Sequence, residues 1–344
     1  MKKLLNTLFV TQDGAYLHKE RETVSVEQGN TKLLQVPILA LSNIFCFGRV
    51  NLSPQLMHHC MENSIGVAYF SEYGRFQARI VGRKNGNVLL RREQYRIADD
   101  EKRCVEIARN MIGAKVANSR SVIAKSARNR PDAEGSEKLR SACDNMKETL
   151  IRLERVENLD ELRGREGEAA NVYFDVFENL ISQQRQDFGF KCRNRRPPKD
   201  PVNALLSFVY AMLLQDCASA LEAVGLDSYV GFLHRDKPGR QSLALDLMEE
   251  FRAFVGDRLC LSLINLRQIQ SNDFSYKENG AVFIADTARK TVLTEYQKRK
   301  QESIFHPAIK ENVKIGLLFH TQALLLARYI RGDVDYYPAF LWRS

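Results

Sequence analysis

Residues that could carry chemistry fall in two separate segments, and the first contains Glu166. Apolar residues recur at helical spacing between residues 161 and 183, and Glu166 falls within the same stripe as Leu162 and Tyr173. A carboxylate buried in such a stripe requires a cation or a strong hydrogen-bond donor. The alternative is an exposed glutamate near the helix start, where acids favour the helix dipole, and spacing alone favours this alternative.

The second segment contains one histidine and three acids. His234 precedes a polar turn, and a helix is predicted from Ser242 to Val255. Asp246, Glu249 and Glu250 share the side of that helix opposite its apolar residues, at spacings of three and four. A divalent cation would relieve their repulsion, and carboxylates with one imidazole suit Mg²⁺ or Mn²⁺. The alternative is a solvated acidic face beside an ordinary loop histidine.

Basic residues are concentrated between these two segments, in a loop that its prolines keep extended. Arginine and lysine beside an acidic metal centre suit an enzyme that acts on phosphodiesters, because they hold the nucleic acid backbone. For each stretch taken alone, solvated charge is the alternative. The loop set is Arg185, Lys191, Arg193, Arg195, Arg196 and Lys199; two further sets are Lys115, Arg120, Lys125, Arg128 and Arg130, and Lys298, Arg299 and Lys300.

Composition is compatible with this interpretation. The 344 residues carry a net charge of +9, which favours a polyanionic partner, although a merely basic enzyme would show the same excess. Seven scattered cysteines without a CxxC pair argue against a disulfide framework and fit a reducing cytosol. The apolar start lacks a cleavage site and is predicted to form a first β-strand, and no segment is predicted to cross a membrane.

Two domains are expected, in an α+β fold. Residues 1–94 contain short alternating segments separated by turns, which predicts a small β-rich domain. Residues 95–344 are dominated by helical periodicity, which predicts a larger all-α domain. Its clearest helix has Asp200 as N-cap and Pro201 as first residue, and Gly225 follows its end. Because this helix is apolar on nearly every side, it is expected in the middle of a bundle.

Several ordered motifs resemble the CRISPR adaptation integrase family, the first protein of the CRISPR-associated series. The resemblance covers about residues 115 to 300, and agreement at so many ordered positions is highly specific. The motifs are Leu162-Arg163-Gly164-x-Glu166-Gly167, Arg195-Arg196-Pro197-Pro198-x-Asp200-Pro201-x-Asn203, Gly231-Phe232-Leu233-His234, Ser242-Leu243-Ala244-Leu245-Asp246-Leu247-Met248-Glu249, Leu263-Ile264-Asn265 and Asp273-Phe274.

The resemblance implies that Glu166, His234 and Glu249 are catalytic and bind Mg²⁺ or Mn²⁺, with Asp246 as a further acid beside the metal. Many relatives have proline where this chain has Glu250, so the choice between Glu249 and Glu250 as third ligand stays open. The implied reaction inserts DNA fragments into a CRISPR repeat by attack of a 3′-hydroxyl. Arg193, Arg195 and Arg196, with Lys191 and Lys199, would hold the DNA backbone.

The implied partners are double-stranded DNA, as fragment and repeat, a second copy of the chain joined through the β-rich domain, and a small ferredoxin-like CRISPR-associated protein. A cytoplasmic location and no membrane contact are expected. Two other functions compete with the integrase: a metal-dependent, structure-specific nuclease that does not integrate, and a DNA-binding scaffold without catalytic activity.

Overall fold

Short strands dominate the first part of the protein, of which a computed structural model describes residues 6–72, 76–82 and 88–342. Turn chemistry separates the strands as expected; Gly14, for example, has φ 75°, which favours glycine. The described elements here are β1 (Asn6–Val10), β2 (Tyr16–Glu20), β3 (Thr23–Gln28), β4 (Thr31–Pro37), β5 (Leu41–Phe47), β6 (Asn51–Leu52), α1 (Pro54–Glu62), β7 (Gly66–Phe70) and β8 (Phe76–Ile80).

These strands form two four-stranded sheets, ordered β1-β5-β7-β8 and β4-β3-β2-β6. In the first sheet β5 runs parallel to both β1 and β7. Side chains alternate along β5: Ile44 and Cys46 face the core between the sheets, whereas Phe45 and Phe47 join the core of the helical part. The sheet is therefore buried on both faces and attaches the β-rich part to the helices.

Helices form most of the second part. Two short hairpins, β9–β10 and β11–β12, interrupt them. This part is therefore mostly helical, and the prediction of an all-α domain is wrong in that respect. The elements are α2 (Val88–Ala98), α3 (Glu101–Asn129), α4 (Ser136–Leu153), α5 (Leu159–Asp175), α6 (Pro201–Ala223), α7 (Ser242–Glu249), α8 (Arg258–Asn265), β9 (Phe274–Tyr276), β10 (Val282–Ile284), α9 (Asp286–Gln301), β11 (Ser303–His306), β12 (Glu311–Lys314) and α10 (Ile315–Arg331).

Helix α6 is the central helix of the bundle, as predicted. Asp200 caps it by accepting a hydrogen bond from the Asn203 backbone amide at 2.8 Å, and Pro201 is its first residue. By length and composition α6 could cross a membrane, but 78% of its most apolar window is buried inside the protein. Its apolar character is therefore explained by packing on all sides.

A buried polar network joins the two parts of the chain. Lys300 of α9 lies 2.9 Å from Oδ1 of Asp216 on α6 and donates a hydrogen bond to Thr7 of β1 at 2.9 Å. Asp216 also accepts hydrogen bonds from Tyr296 at 2.6 Å and from Asn43 of β5 at 3.0 Å. Asp216 and Lys300 are almost completely buried, so this ion pair is shielded from solvent.

The α+β fold class is confirmed. The domain division after residue 94 falls inside α2, which packs on α3 and α10, so we propose a division that precedes Val88. The helix predicted from Ser242 to Val255 is interrupted: α7 ends at Glu249, and a π-helical turn, Arg252–Asp257, leads into α8. The helical pattern up to residue 183 is also shorter, because α5 ends at Asp175 and a short 3₁₀ turn follows.

Candidate active site

Glu166 projects from the middle of α5 towards α3. Asn158 caps α5 by accepting a hydrogen bond from the Glu161 amide at 2.8 Å, which places Glu166 two turns into the helix. The Glu166 side chain is 28% exposed and forms an ion pair with Lys115 of α3. The partly buried alternative is therefore the one that the fold adopts, and Lys115 supplies the cation that it requires.

His234 is held in a fixed orientation by Asp246. The Asp246 carboxylate is fully buried and accepts hydrogen bonds from the backbone amides of Phe232, Leu233 and His234 at 2.7, 3.0 and 3.1 Å. Its Oδ1 also lies 2.6 Å from Nδ1 of the His234 ring. This contact leaves Nε2 as the ring nitrogen that can bind a cation, an arrangement common in metal sites.

Gly231 explains how Asp246 can approach this loop so closely. A Cβ atom at residue 231 would lie 2.7 Å from Asp246 Oδ2 and 2.8 Å from the carbonyl carbon of Ser242. Any larger residue would push the loop away from α7 and so displace His234. Glycine is therefore required by close approach and not by backbone conformation.

Glu249 ends α7 and faces the same lysine as Glu166. One oxygen lies 3.0 Å from Arg252 Nη2, and the other, Oε2, lies 2.8 Å from Lys115 Nζ. The Lys115 contact is an ion pair without hydrogen-bond geometry, because Oε2 is buried and lacks a hydrogen-bond partner within the described ranges. Burial alone would raise the pKa of Glu249, but Arg252, Lys115 and His234 outweigh it and lower the pKa to about 2.

Glu250 points away from this cluster, into the interior next to the C-terminal tail (residues 332–342). It accepts hydrogen bonds from the Tyr337 hydroxyl at 2.5 Å, from Gln322 at 2.8 Å and from the Phe340 amide at 2.7 Å. Burial raises its pKa to about 7. Glu250 thus anchors the tail, whereas Glu249 faces Lys115.

The solvated acidic face, which was the alternative to a metal site for residues 246, 249 and 250, is wrong. All three side chains are buried, and each has a different set of partners. Over the described ranges, no three His, Cys, Asp or Glu side chains lie close enough together to form a ready metal site. Glu166 and Glu249 instead converge on the Lys115 ammonium.

A small cavity of about 40 Å³ adjoins Glu166, and Lys115, Arg195, Arg252 and Asp257 are among the residues that line it. It is large enough for a water molecule or an ion. Asp257 accepts hydrogen bonds from the hydroxyls of Tyr173 and Tyr210, and burial raises its pKa to about 6. The cavity is thus lined by three cationic side chains together with Glu166 and the buried acid Asp257.

The loop residues predicted to contact DNA differ in their surroundings. Arg195, which lines the cavity, is exposed, as are Lys191, Arg196 and Lys199. Arg193 is half-buried and donates hydrogen bonds to Asn203 at 2.6 Å and Ser207 at 3.1 Å, so it fixes the loop to α6. This second role was not evident from the sequence.

Several residues of the other two basic sets are engaged inside the protein and are not free to bind DNA. Lys115 is bound by the glutamates, and Arg130 donates to the carbonyls of Asn179 and Leu180. Arg299 and Lys300 are buried. The third set was misassigned because a Lys-Arg-Lys run on a helix looks solvated, and the partner of Lys300 lies 84 residues away.

Sequence reasoning also missed Arg252 and Asp257 near the site. Arg252 follows Glu249 by three residues, a helical spacing that does signal an ion pair. The link between Asp257 and two tyrosines from different helices has no local signal. The pairing of Lys115 with both glutamates has none either, because it depends on the packing of three helices.

Comparison with known proteins identifies the family. The model of the family "CRISPR associated protein Cas1" matches residues 8–298. The chain belongs to the Cas1 family. The CRISPR-associated endonuclease Cas1 1 of Chlorobaculum tepidum is 49% identical over 343 residues, which cover 100% of both chains.

Solved structures of other proteins share the fold. A casposase bound to its integration product superposes with a TM-score of 0.84 at 21% identity and covers 98% of this chain and 95% of its own. A chain of a Cas6-RT-Cas1–Cas2 complex gives a TM-score of 0.82 at 20% identity, with 100% of this chain and 37% of that chain covered. At these identities the likeness concerns the fold.

Proposed function

We propose that the protein is a metal-dependent DNA endonuclease and integrase that inserts DNA fragments as new spacers into a CRISPR repeat array. The observation that carries the proposal is the convergence of Glu166 and Glu249 on one cation, beside a histidine oriented by Asp246. Membership of a family whose named members are CRISPR-associated endonucleases supports the choice of substrate.

The donor set fits a divalent cation. Glu249 Oε2 is a buried carboxylate oxygen whose charge the Lys115 ammonium compensates at 2.8 Å, so a cation already contacts both glutamates at this position. Glu166, Glu249 and Nε2 of His234 would hold Mg²⁺ or Mn²⁺, which would supply Lewis-acid stabilisation of charge on the phosphodiester oxygens. Glu250 is not proposed as a ligand, because its three donors keep it in the interior.

The chain's own residues supply orientation and charge. Asp246 fixes the His234 ring, and Arg252 holds Glu249 in its ionised form. Arg195 at the cavity, with exposed Lys191, Arg196 and Lys199, would hold the DNA backbone without reading sequence. Arg193 would contribute indirectly, because its hydrogen bonds to Asn203 and Ser207 hold this loop in place on α6.

The bond changes balance without an external reactant. The 3′-oxygen of the fragment forms a bond to phosphorus at the repeat edge, the bond from that phosphorus to the 3′-oxygen of the adjoining strand breaks, and the proton passes to the departing oxygen. With water as the nucleophile, the same site would hydrolyse DNA.

Assembly is part of the proposal. Strand β4 lies at the edge of its sheet, and Leu33, Leu34 and Leu39 on or beside it are 46%, 45% and 59% exposed. Such an apolar edge supports a homodimer formed through the β-rich part. The Cas1–Cas2 complex among the structural relatives supports a small CRISPR-associated, ferredoxin-like partner. Seven free cysteines, six of them buried, are compatible with a reducing cytoplasm.

The test is a strand-joining assay on a supercoiled plasmid that carries a repeat, with and without Mn²⁺. Glu166→Ala and His234→Ala should abolish joining while DNA affinity largely survives. Glu148→Ala, at an exposed position of α4, is the matched control. Cleavage of branched DNA without a joined product would indicate the non-integrating nuclease. DNA binding by the parent protein without joined or cleaved product, whether Mn²⁺ or chelator is present, would indicate a scaffold.

A further inference from the structure

Lys115 occupies a central position between the two carboxylates proposed as ligands. Its ammonium pairs with Glu166 of α5 and lies 2.8 Å from Glu249 Oε2 of α7, so it joins three helices. The Lys115 side chain is only 15% exposed and that of Glu249 only 4%. Lys115 is thus a buried countercharge and not a surface lysine.

The two carboxylates require a cation between them. Both carboxylates contact the same ammonium, so their negative charges lie close together. They would repel each other strongly, because the low dielectric of the interior screens little. Arg252 neutralises one oxygen of Glu249 from the other side, at 3.0 Å. Lys115 is the cation that contacts both glutamates, and its ammonium lies 2.8 Å from the buried Oε2 of Glu249.

We propose that Lys115 is an exchangeable counter-ion: its ammonium and a divalent cation compete for the same two carboxylates. The inference rests on the proposed function. Two carboxylates and one imidazole bind a divalent cation more tightly than they bind a single ammonium. Lys115 therefore leaves when the divalent cation binds. Its flexible stem allows this movement without a change of backbone.

The displaced ammonium does not lose its charge. Lys115 lines the small cavity together with Arg195 and Arg252, so release places an uncompensated positive charge there. A DNA phosphate is the anion class that this cavity would then attract. Binding of the divalent cation therefore strengthens DNA binding through Lys115, and the two events are coupled reciprocally.

The first test measures Mn²⁺ binding to the full chain without DNA, by calorimetry and by electron paramagnetic resonance of free Mn²⁺. Lys115→Met removes the competitor, so Mn²⁺ should bind about tenfold more tightly, which corresponds to about 1.4 kcal/mol. The melting temperature without metal should fall, and the rise caused by Mn²⁺ should increase. Lys102→Met, an exposed lysine on the same helix, should bind Mn²⁺ as the parent protein does.

Unchanged or weaker Mn²⁺ binding by Lys115→Met would overturn the proposal. If the variant does not fold, the unmodified protein gives the answer through amine acylation read by mass spectrometry. Mn²⁺ should increase the labelling of Lys115 and leave that of Lys102 unchanged; constant or reduced labelling of Lys115 contradicts the exchange.

Failure of the proposed function has a different signature. If Glu166→Ala binds Mn²⁺ as tightly as the parent, or if the parent binds none, the metal site itself is wrong. If Glu166→Ala loses Mn²⁺ binding while Lys115→Met shows no gain, the metal site stands and only the competition is wrong.

Discussion

Asp246 Oδ1 lies 2.6 Å from Nδ1 of His234, and the same buried carboxylate accepts three backbone amides of the loop that carries the histidine. One side chain thus fixes both the backbone and the ring. Because the three amides already hold Asp246, the ring orientation is set before any ligand binds. His234 is therefore preorganised even though it lies in an irregular segment.

Asp246→Asn should reduce strand joining by about 10- to 100-fold, the usual cost of losing the carboxylate behind a metal-binding histidine. Asparagine keeps the size but offers only one acceptor oxygen to the ring and the amides. Joining rates and DNA affinity should be measured together, with circular dichroism as the control for folding. A rate equal to that of the parent would show that the contact does not position His234.

Glu249 and Glu250 should give opposite results when each is changed to glutamine. Glu250→Gln places an amide group against donors that require an acceptor, so the free energy of unfolding should fall by about 1–3 kcal/mol. Strand joining by Glu250→Gln should persist at temperatures below the melting temperature of this variant. Glu249→Gln should abolish joining. Denaturant unfolding and the joining assay on both variants decide which residue is the ligand, and the reverse pattern would assign the role to Glu250.

DNA affinity should depend steeply on salt, and the exposed loop residues should account for part of the slope. Arg196→Gln combined with Lys199→Gln should lower the slope of log affinity against log salt by roughly 2, since each phosphate contact on a duplex contributes about 0.9. The double variant Lys138→Gln/Lys147→Gln on α4 serves as the charge-matched control. Equal slopes for both double variants would remove the loop from the DNA-binding surface.

Stability should depend on pH through Asp257. Burial raises its pKa in the folded protein to about 6, above the value of about 3.9 in the unfolded chain. The folded state therefore binds the proton more tightly, so the stabilisation is fully present below about pH 4 and is lost as pH rises towards 6. Asp257→Asn removes this dependence.

Urea unfolding between pH 4 and 7 tests this expectation. The stability of Asp257→Asn relative to the parent should increase with pH across that window and then level off. A constant difference would mean that Asp257 remains ionised throughout, held so by its two tyrosine donors and nearby arginines.

Lys300→Met should destabilise the protein by roughly 3–5 kcal/mol, because it leaves Asp216 buried without its cation. The double variant Lys300→Met/Asp216→Asn should lose less than the sum of the single changes. Denaturant unfolding of the four proteins in this cycle gives the coupling energy. Additive losses would show that the two side chains do not stabilise each other.

Features set by local chemistry were the ones that could be predicted. The N-cap Asp200 and the first proline of α6 depend on neighbouring residues, and both are confirmed. Tertiary contacts could not be predicted from the sequence. Nothing near Glu250 signals that Tyr337 and Phe340 will approach it, so adjacent acids on one helix could not be told apart.

The family resemblance added what periodicity could not. Spacing alone favoured an exposed Glu166, whereas the resemblance of the motif around it implies a role as metal ligand, and the structure shows Glu166 partly buried against Lys115. The π-helical turn after α7 was missed because residues 251 to 255 fit the apolar spacing of a continuous helix.

The Lys300–Asp216 pair has a consequence for how this protein can change over evolutionary time. Thr7 and Asn43 come from the β-rich part, yet both complete the shell around a charge pair that belongs to the helices. The two parts are therefore not interchangeable modules. A chimera that takes its first strands from a relative inherits a working interior only if that relative brings a hydroxyl and an amide to the same two places.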